Sequence, residues 1–237
     1  MGKAKQRGRP HKKRYHAGPF VFQAPNRPAI PEEMLQELND PANFKETLTG
    51  TCGENVQWRL EINQDKTVMY LTGSGPMYPY TKLGDNPPWG MNQHGITEIH
   101  MDDAITHLGT FLFPECWNLT TLHLPAQLVS IGEGAFSGCR SLVLASLPDT
   151  LIHIGDGAFS GCKHLALTSL PESLVCIEGA AFRGCTDLAL DHLPPNLEYI
   201  GTEAFANCPK LKLHQLPAKL VYSGRCAFTG CPQVFLP

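Results

Sequence analysis

Cysteine and histidine, the side chains that most often bind metals or act in catalysis, recur in this sequence at regular intervals. Zinc sites need ligands that converge on one point, usually as short pairs such as C-x-x-C. Equal spacing along the chain instead predicts a line of buried thiols, which pack as small hydrophobic groups. We therefore predict no metal and no cofactor. Six of the nine cysteines are 23 residues apart, and they are Cys116, Cys139, Cys162, Cys185, Cys208 and Cys231.

A second column with the same interval contains histidine and serine. Ser169 and His192 lie one interval apart and suggest a hydrolase, and His100 with His123 suggests a metal-binding pair. Asp191 could not complete a triad if it lay on a regular strand, because consecutive strand residues point to opposite faces. No oxyanion-hole motif is visible either, so we predict exposed side chains on a protein that is not an enzyme. The full column is His100, His123, Ser146, Ser169, His192 and Gln215.

Apolar residues follow the same interval, and this repeat determines the fold class. A unit of 23 residues is too short to enclose a core, so its apolar columns must be buried against neighbouring units. We predict a β-rich repeat solenoid, a stack of six coils over residues 96–237. The aromatic column is Phe113, Phe136, Phe159, Phe182, Phe205 and Phe228.

Within each unit, a leucine-rich segment precedes a proline and an I-G pair follows it. We expect the leucine-rich segment to be a short strand that pairs in parallel with its neighbours, with the proline ending each strand. We expect the glycine after isoleucine to adopt positive φ, and Glu178 replaces that glycine in one unit. The glycine column is Gly109, Gly132, Gly155, Gly201 and Gly224.

The middle leucine of the segment changes position between the second and third units. Early units read L-x-x-L-x-L, whereas later units read L-x-L-x-x-L. On a regular strand, a shift of one residue moves a side chain to the opposite face. Either the shifted leucines form an exposed apolar row, or a local bulge keeps them buried and turns Asp191 and His214 to solvent. The shifted leucines are Leu144, Leu167, Leu190 and Leu213.

The repeat resembles the BspA-like leucine-rich-repeat family. Units such as SLPDTLIHIGDGAFSGC at residues 146–162 carry the resemblance, and they recur to the end of the chain. Upstream, T-C-G-E-N-V-Q-W-R-L at residues 51–60 and Pro87-Pro88-Trp89 resemble the amino-terminal region that often precedes these repeats. The resemblance implies a solenoid that binds other proteins.

Residues 51–95 are expected to form a small β cap on the first coil. Alternation at Val56, Trp58 and Leu60 predicts one strand, and a second follows around Tyr70. Residues 31–50 are expected to be a short helix, at 31–40, and a linker. The proline-rich segment 1–30 is expected to be a basic, disordered tail.

The charge of the chain is strongly asymmetric. Residues 1–16 hold seven of the 19 lysines and arginines and none of the 22 acids, which leaves twelve basic residues against 22 acidic ones elsewhere. The tail motif Arg7-Gly8-Arg9-Pro10 is similar to an AT-hook, whose arginines enter the DNA minor groove. No membrane span and no signal peptide are recognisable, so we expect an intracellular protein with reduced cysteines.

These observations predict a non-catalytic recognition scaffold that binds a protein partner. The alternative is a nucleic-acid-associated protein that uses residues 1–16 for contact and the repeats for recruitment. We also predict self-association through the last coil, which ends at Phe235-Leu236-Pro237. The candidate binding residues are Leu144, Ser146, Leu167, Ser169, Leu190, His192, Leu213 and Gln215.

Overall fold

A computed structural model of the 237-residue chain describes residues 44–63, 65–80 and 86–235, with the side chains of residues 44 and 45 excepted. The helix predicted at 31–40, the basic tail and its Arg7-Gly8-Arg9-Pro10 motif lie outside the described residues. The described residues contain no helix long and apolar enough to cross a membrane. Their one helical element is a 3₁₀ turn at Gln93–Gly95, and the remaining regular structure is β.

The amino-terminal strands form a sheet of order β1-β2-β3-β5-β7. The first three strands are antiparallel, and β3, β5 and β7 then run parallel. The predicted cap therefore continues the sheet of the first two coils. Part of the predicted linker is a strand. The strands are β1 (Phe44–Thr51), β2 (Val56–Asn63), β3 (Thr67–Gly73), β5 (Ile96–Met101) and β7 (Thr121–His123).

A second sheet of seven parallel strands runs along the repeats in the order β12-β11-β10-β9-β8-β6-β4. Each coil contributes one short strand at its isoleucine column. The strands are β4 (Gly75–Pro76), β6 (Ile105–Leu108), β8 (Ser130–Ile131), β9 (His153–Ile154), β10 (Cys176–Ile177), β11 (Tyr199–Ile200) and β12 (Tyr222–Ser223). We number the coils 1 to 6 by their phenylalanine, from Phe113 to Phe228.

The leucine-rich segments form strands only in the first two coils, so the prediction of a strand in every unit was wrong for coils 3 to 6. In those coils the segment bends at residues 145, 168, 191 and 214. Single backbone hydrogen bonds still connect neighbouring segments, as from Ala189 N to Leu167 O at 3.0 Å. The physical cause is the spacing L-x-L-x-x-L, because two buried leucines separated by two exposed residues cannot both face inward from a straight strand.

The core is a row of stacked side chains along the solenoid. Successive phenylalanine rings lie 5.4–5.8 Å apart between centroids and are nearly parallel. Trp89 extends the row beyond Phe113, and its indole nitrogen donates a hydrogen bond to the Leu112 carbonyl at 2.8 Å. Phe113 to Phe205 are fully buried and Phe228, in the last coil, is partly buried. The row confirms the inward orientation that the periodicity predicts.

The glycine column has a different role from the one predicted. None of its five members has positive φ. They are glycine because the coils approach closely there, and a Cβ on Gly201 would lie 2.3 Å from the Gly179 nitrogen. Positive φ occurs two residues later in each coil, at Gly134 and Gly157 but also at Glu203. The sequence signal was therefore close backbone approach, which glycine permits as readily as it permits positive φ.

Candidate binding surface

The histidine and serine column follows one outer face of the molecule. His100 pairs with His123 across β5 and β7, and their rings stack with centroids 4.8 Å apart. The predicted contact between these two histidines is confirmed. Burial lowers the pKa of His100, and a hydrogen-bonding contact with Glu98 opposes that shift only in part. The pair is therefore a stacked, largely uncharged surface at neutral pH.

The column continues into the cap, where the sequence gave no repeat to reveal it. Tyr70 lies opposite His100 and stacks on it at 5.4 Å, and the Arg59 guanidinium lies 4.5 Å from the centre of the Tyr70 ring. Arg59, Tyr70, His100 and His123 thus form a ladder across four strands. Only the strand register of the cap aligns Arg59 and Tyr70 with the histidines.

A surface groove of about 460 Å³ lies further along this face, on coils 3 to 5. It brings Ser146, Ser169 and His192 of the predicted column together. Asp149 and Glu172 also line it, and sequence reasoning missed both. They share the interval of 23 residues and follow Ser146 and Ser169 by three positions, a signal that could have found them.

The four shifted leucines are not part of this surface. Leu167, Leu190 and Leu213 are fully buried and Leu144 is nearly so. The bulge alternative is therefore confirmed, and Asp191 and His214 are exposed. The exposed apolar row was wrong because the segment bends after each of these leucines. Of the candidate residues, Ser146, Ser169, His192 and Gln215 remain exposed.

The same bend changes the environment of His192. Its Nδ1 lies 2.5 Å from an Asp191 carboxylate oxygen, and this interaction lowers the pKa of Asp191. The prediction that strand geometry separates the two side chains was wrong, because residues 191 and 192 are not in a strand. Among the described residues, however, no hydrogen bond joins Ser169 to His192, so the pair does not extend to a serine nucleophile.

The cysteine column is structural. Each thiol from Cys139 to Cys231 donates a hydrogen bond to the phenylalanine carbonyl of the preceding coil, at 3.0–3.2 Å. Burial raises the pKa of the Cys208 thiol to about 12. A protonated thiol donates to the carbonyl and is a poor nucleophile, which agrees with the packing role predicted for this column.

The last coil is less covered than the coils before it. Val221, Tyr222 and Phe235 are exposed there, and β12 is the edge strand of the second sheet. Self-association through this coil stays a prediction.

Comparisons with known proteins agree with this architecture. A family model described as the BspA type leucine-rich repeat region matches residues 93–234 in six copies. No curated protein matches the chain significantly.

Two solved structures are similar in fold. A leucine-rich repeat protein from Bacteroides ovatus is 22% identical with a TM-score of 0.53, over 78% of this chain and 52% of its own. The T. pallidum leucine-rich repeat protein is 24% identical with a TM-score of 0.53, over 78% of this chain and 90% of its own. This chain therefore spans about half of the first protein and most of the second.

Proposed function

The chain belongs to the BspA-type leucine-rich repeat family, and from this premise we propose that it recognises a protein partner through the outer face of its leucine-rich segments. Leucine-rich repeat proteins are generally scaffolds for protein interaction. The surface that we assign begins at the Arg59–Tyr70–His100–His123 ladder and includes the groove lined by Ser146, Ser169 and His192. The groove carries the proposal.

The chemistry of the groove favours an extended, basic segment of the partner. Asp149 and Glu172 supply two carboxylates one coil apart, and the Ser146 and Ser169 hydroxyls can donate to or accept from a peptide backbone. An open groove with polar walls suits a peptide better than a buried small molecule, which needs a more enclosed, apolar pocket. Lysine or arginine side chains opposite the two acids would provide specificity and faster association.

A non-catalytic role agrees with the same geometry. The BspA-type repeat is a non-enzymatic fold, and its conspicuous thiols are buried with raised pKa values. The side chains of the groove are exposed, so water would solvate a charge that developed there and weaken any electrostatic stabilisation. The groove can therefore bind a partner more readily than it can stabilise a transition state.

Selection of peptides from a random library tests the proposal. We expect binders rich in lysine and arginine, and we expect the double variant Asp149→Asn, Glu172→Gln to weaken them about two- to tenfold, since each exposed ion pair contributes roughly 0.2–1 kcal/mol. The matched control is Glu133→Gln, Glu198→Gln, which removes two exposed acids outside the groove. Equal weakening by both variants would show a general charge effect and contradict a groove-specific site.

A further inference from the structure

Three side chains with different donor atoms converge on the outer face of the second sheet. His153 and Cys176 are directly paired on the neighbouring strands β9 and β10, and Glu178 follows Cys176 by two residues, on the same face. One donor atom from each lies within 4.8 Å of the other two. His153 Nε2 and Glu178 Oε1 are 2.8 Å apart. All three side chains are half-buried, so solvent reaches them.

The cluster occurs where the repeat is irregular. Glu178 occupies the column that is glycine in the five other coils, where a Cβ on Gly155 or Gly201 would lie within 3 Å of backbone. Cys176 lies outside the buried cysteine column, and its equivalents in the adjacent coils are His153 and Tyr199. A residue that breaks a local packing rule is a candidate for function, and here two such residues are neighbours.

We propose that His153, Cys176 and Glu178 form a zinc-binding site that joins coil 3 to coil 4. Imidazole nitrogen, thiolate sulfur and carboxylate oxygen are the three protein ligand types that Zn²⁺ takes, and three ligands leave a fourth tetrahedral position for water or a donor from another molecule. A mixed nitrogen, sulfur and oxygen set disfavours Mg²⁺ and Ca²⁺, which prefer oxygen ligands. The site lies on a different sheet from the groove and does not depend on the proposed function.

The observed spacing requires only small side-chain movements. Zinc bonds of about 2.0–2.3 Å at tetrahedral angles place ligand atoms about 3.3–3.7 Å apart, which lies between the shortest and the longest separations in the cluster. On binding, the Cys176 thiol releases its proton to solvent, and the metal replaces the contact between His153 Nε2 and the Glu178 carboxylate. The second Glu178 oxygen accepts a hydrogen bond from the Asp156 backbone N–H at 3.1 Å, which orients the carboxylate.

The predicted metal-free protein is therefore contradicted by this proposal at a place that sequence periodicity could not reveal. Cys176, His153 and Glu178 belong to different columns of the repeat. Their convergence depends on the parallel register of β9 and β10, which sets His153 beside Cys176.

Titration with Co²⁺ and Zn²⁺ alone tests the site on the full chain. We expect one equivalent of Co²⁺ to produce a near-ultraviolet thiolate charge-transfer band, which Zn²⁺ then removes. Cys176→Ser should abolish the band, and His153→Gln and Glu178→Gln should each weaken zinc binding at least tenfold. Cys226→Ser, which removes the exposed cysteine outside the cluster, should behave like the wild type. Persistence of the band in Cys176→Ser, or zinc binding by all three variants at wild-type affinity, would overturn the proposal.

A measurement without substitutions keeps the test independent of folding. In the wild-type chain, one equivalent of Zn²⁺ should slow the alkylation of Cys176 at least tenfold and leave the rate at Cys226 unchanged. An unchanged rate at Cys176 in the presence of Zn²⁺ would show that the thiol is not a ligand.

Discussion

Cysteine has two environments in this protein, and position in the repeat decides between them. The column thiols are buried and donate hydrogen bonds within the core, whereas Cys226 is exposed and Cys176 is half-buried. Desolvation raises the pKa of Cys185 well above its usual range. Reactivity toward electrophiles should follow the same division, since the thiolate is the nucleophile and burial disfavours it.

Alkylation of the native protein, read by mass spectrometry, checks this division. We expect Cys226 to label first and Cys176 more slowly, because burial and the nearby Glu178 raise the pKa of Cys176. Cys139, Cys162 and Cys185 should label only on unfolding. Rapid labelling of these three thiols without unfolding would contradict their burial.

His100 makes the stability of the first sheet depend on pH. Its folded pKa is lowered, mainly by burial, so the folded chain binds a proton less readily than the unfolded chain. Stability should therefore be lost as pH falls through the unfolded value of about 6.5. In urea unfolding, wild type should lose more stability between pH 7.5 and pH 5.5 than His100→Gln. The exposed His214→Gln should behave like wild type, and an equal loss in His100→Gln would contradict the prediction.

At the scale of elements, the bent leucine-rich segment decides which side chains are available to a partner. Two buried leucines with two exposed residues between them form a compact bulge that closes each of coils 3 to 6. The bend also brings Ser146, Ser169 and His192 to the groove. The leucines that define the bulge are therefore core residues, although they are neighbours of the binding surface in sequence.

Replacing Leu167 or Leu190 with serine measures the burial of this row. Each variant should cost about 3 kcal/mol or more in the free energy of unfolding, because a buried leucine leaves a cavity and the new hydroxyl needs a hydrogen bond. Val143→Ser is the control, since Val143 lies beside the row and is exposed, and it should cost less than about 1 kcal/mol. Losses below about 1 kcal/mol for both leucines would restore the exposed row.

The stacked phenylalanines are the second element to test. Phe159→Ala and Phe182→Ala should each destabilise the protein by about 3–5 kcal/mol in chemical denaturation, because both rings are fully buried between neighbouring rings. Phe228, at the end of the stack, is less buried and contacts one neighbouring ring in the row, so Phe228→Ala should cost less. Equal losses at all three positions would contradict the graded burial.

At the scale of the whole molecule, the solenoid and the amino-terminal tail have opposite charge. The seven basic residues of positions 1–16 precede a remainder with twelve basic and 22 acidic residues. Nucleic-acid binding, if the chain has it, should reside in that tail, because the remainder repels phosphate. This alternative rests on the sequence, since the tail lies outside the described residues.

Removal of residues 1–16 separates the two functions. We expect the truncated chain to fold as before, to lose salt-dependent affinity for A·T-rich DNA, and to keep its affinity for peptides selected on the groove. Fluorescence anisotropy at several salt concentrations provides the measurement. Undiminished DNA binding by the truncated chain would exclude the tail model.

The sequence by itself determined the repeat, its boundaries and its core. Periodic residues can be assigned to the interior without coordinates, because a coil of 23 residues must bury the same columns in every unit. Phe159 and Cys162, buried as predicted, are examples. The column of Ser146, Ser169 and His192 was also visible, since residues at equal positions in stacked coils are neighbours.

The tertiary structure decided what depends on local backbone geometry and on strand register. A period-2 strand and a bulge place Leu167 on opposite faces, and sequence spacing alone does not select between them. Glycine permits both positive φ and close approach, so the role of Gly201 required the neighbouring coil. Likewise, Arg59 meets Tyr70 and His153 meets Cys176 only through pairing between strands, because register is fixed by the packing of the whole stack.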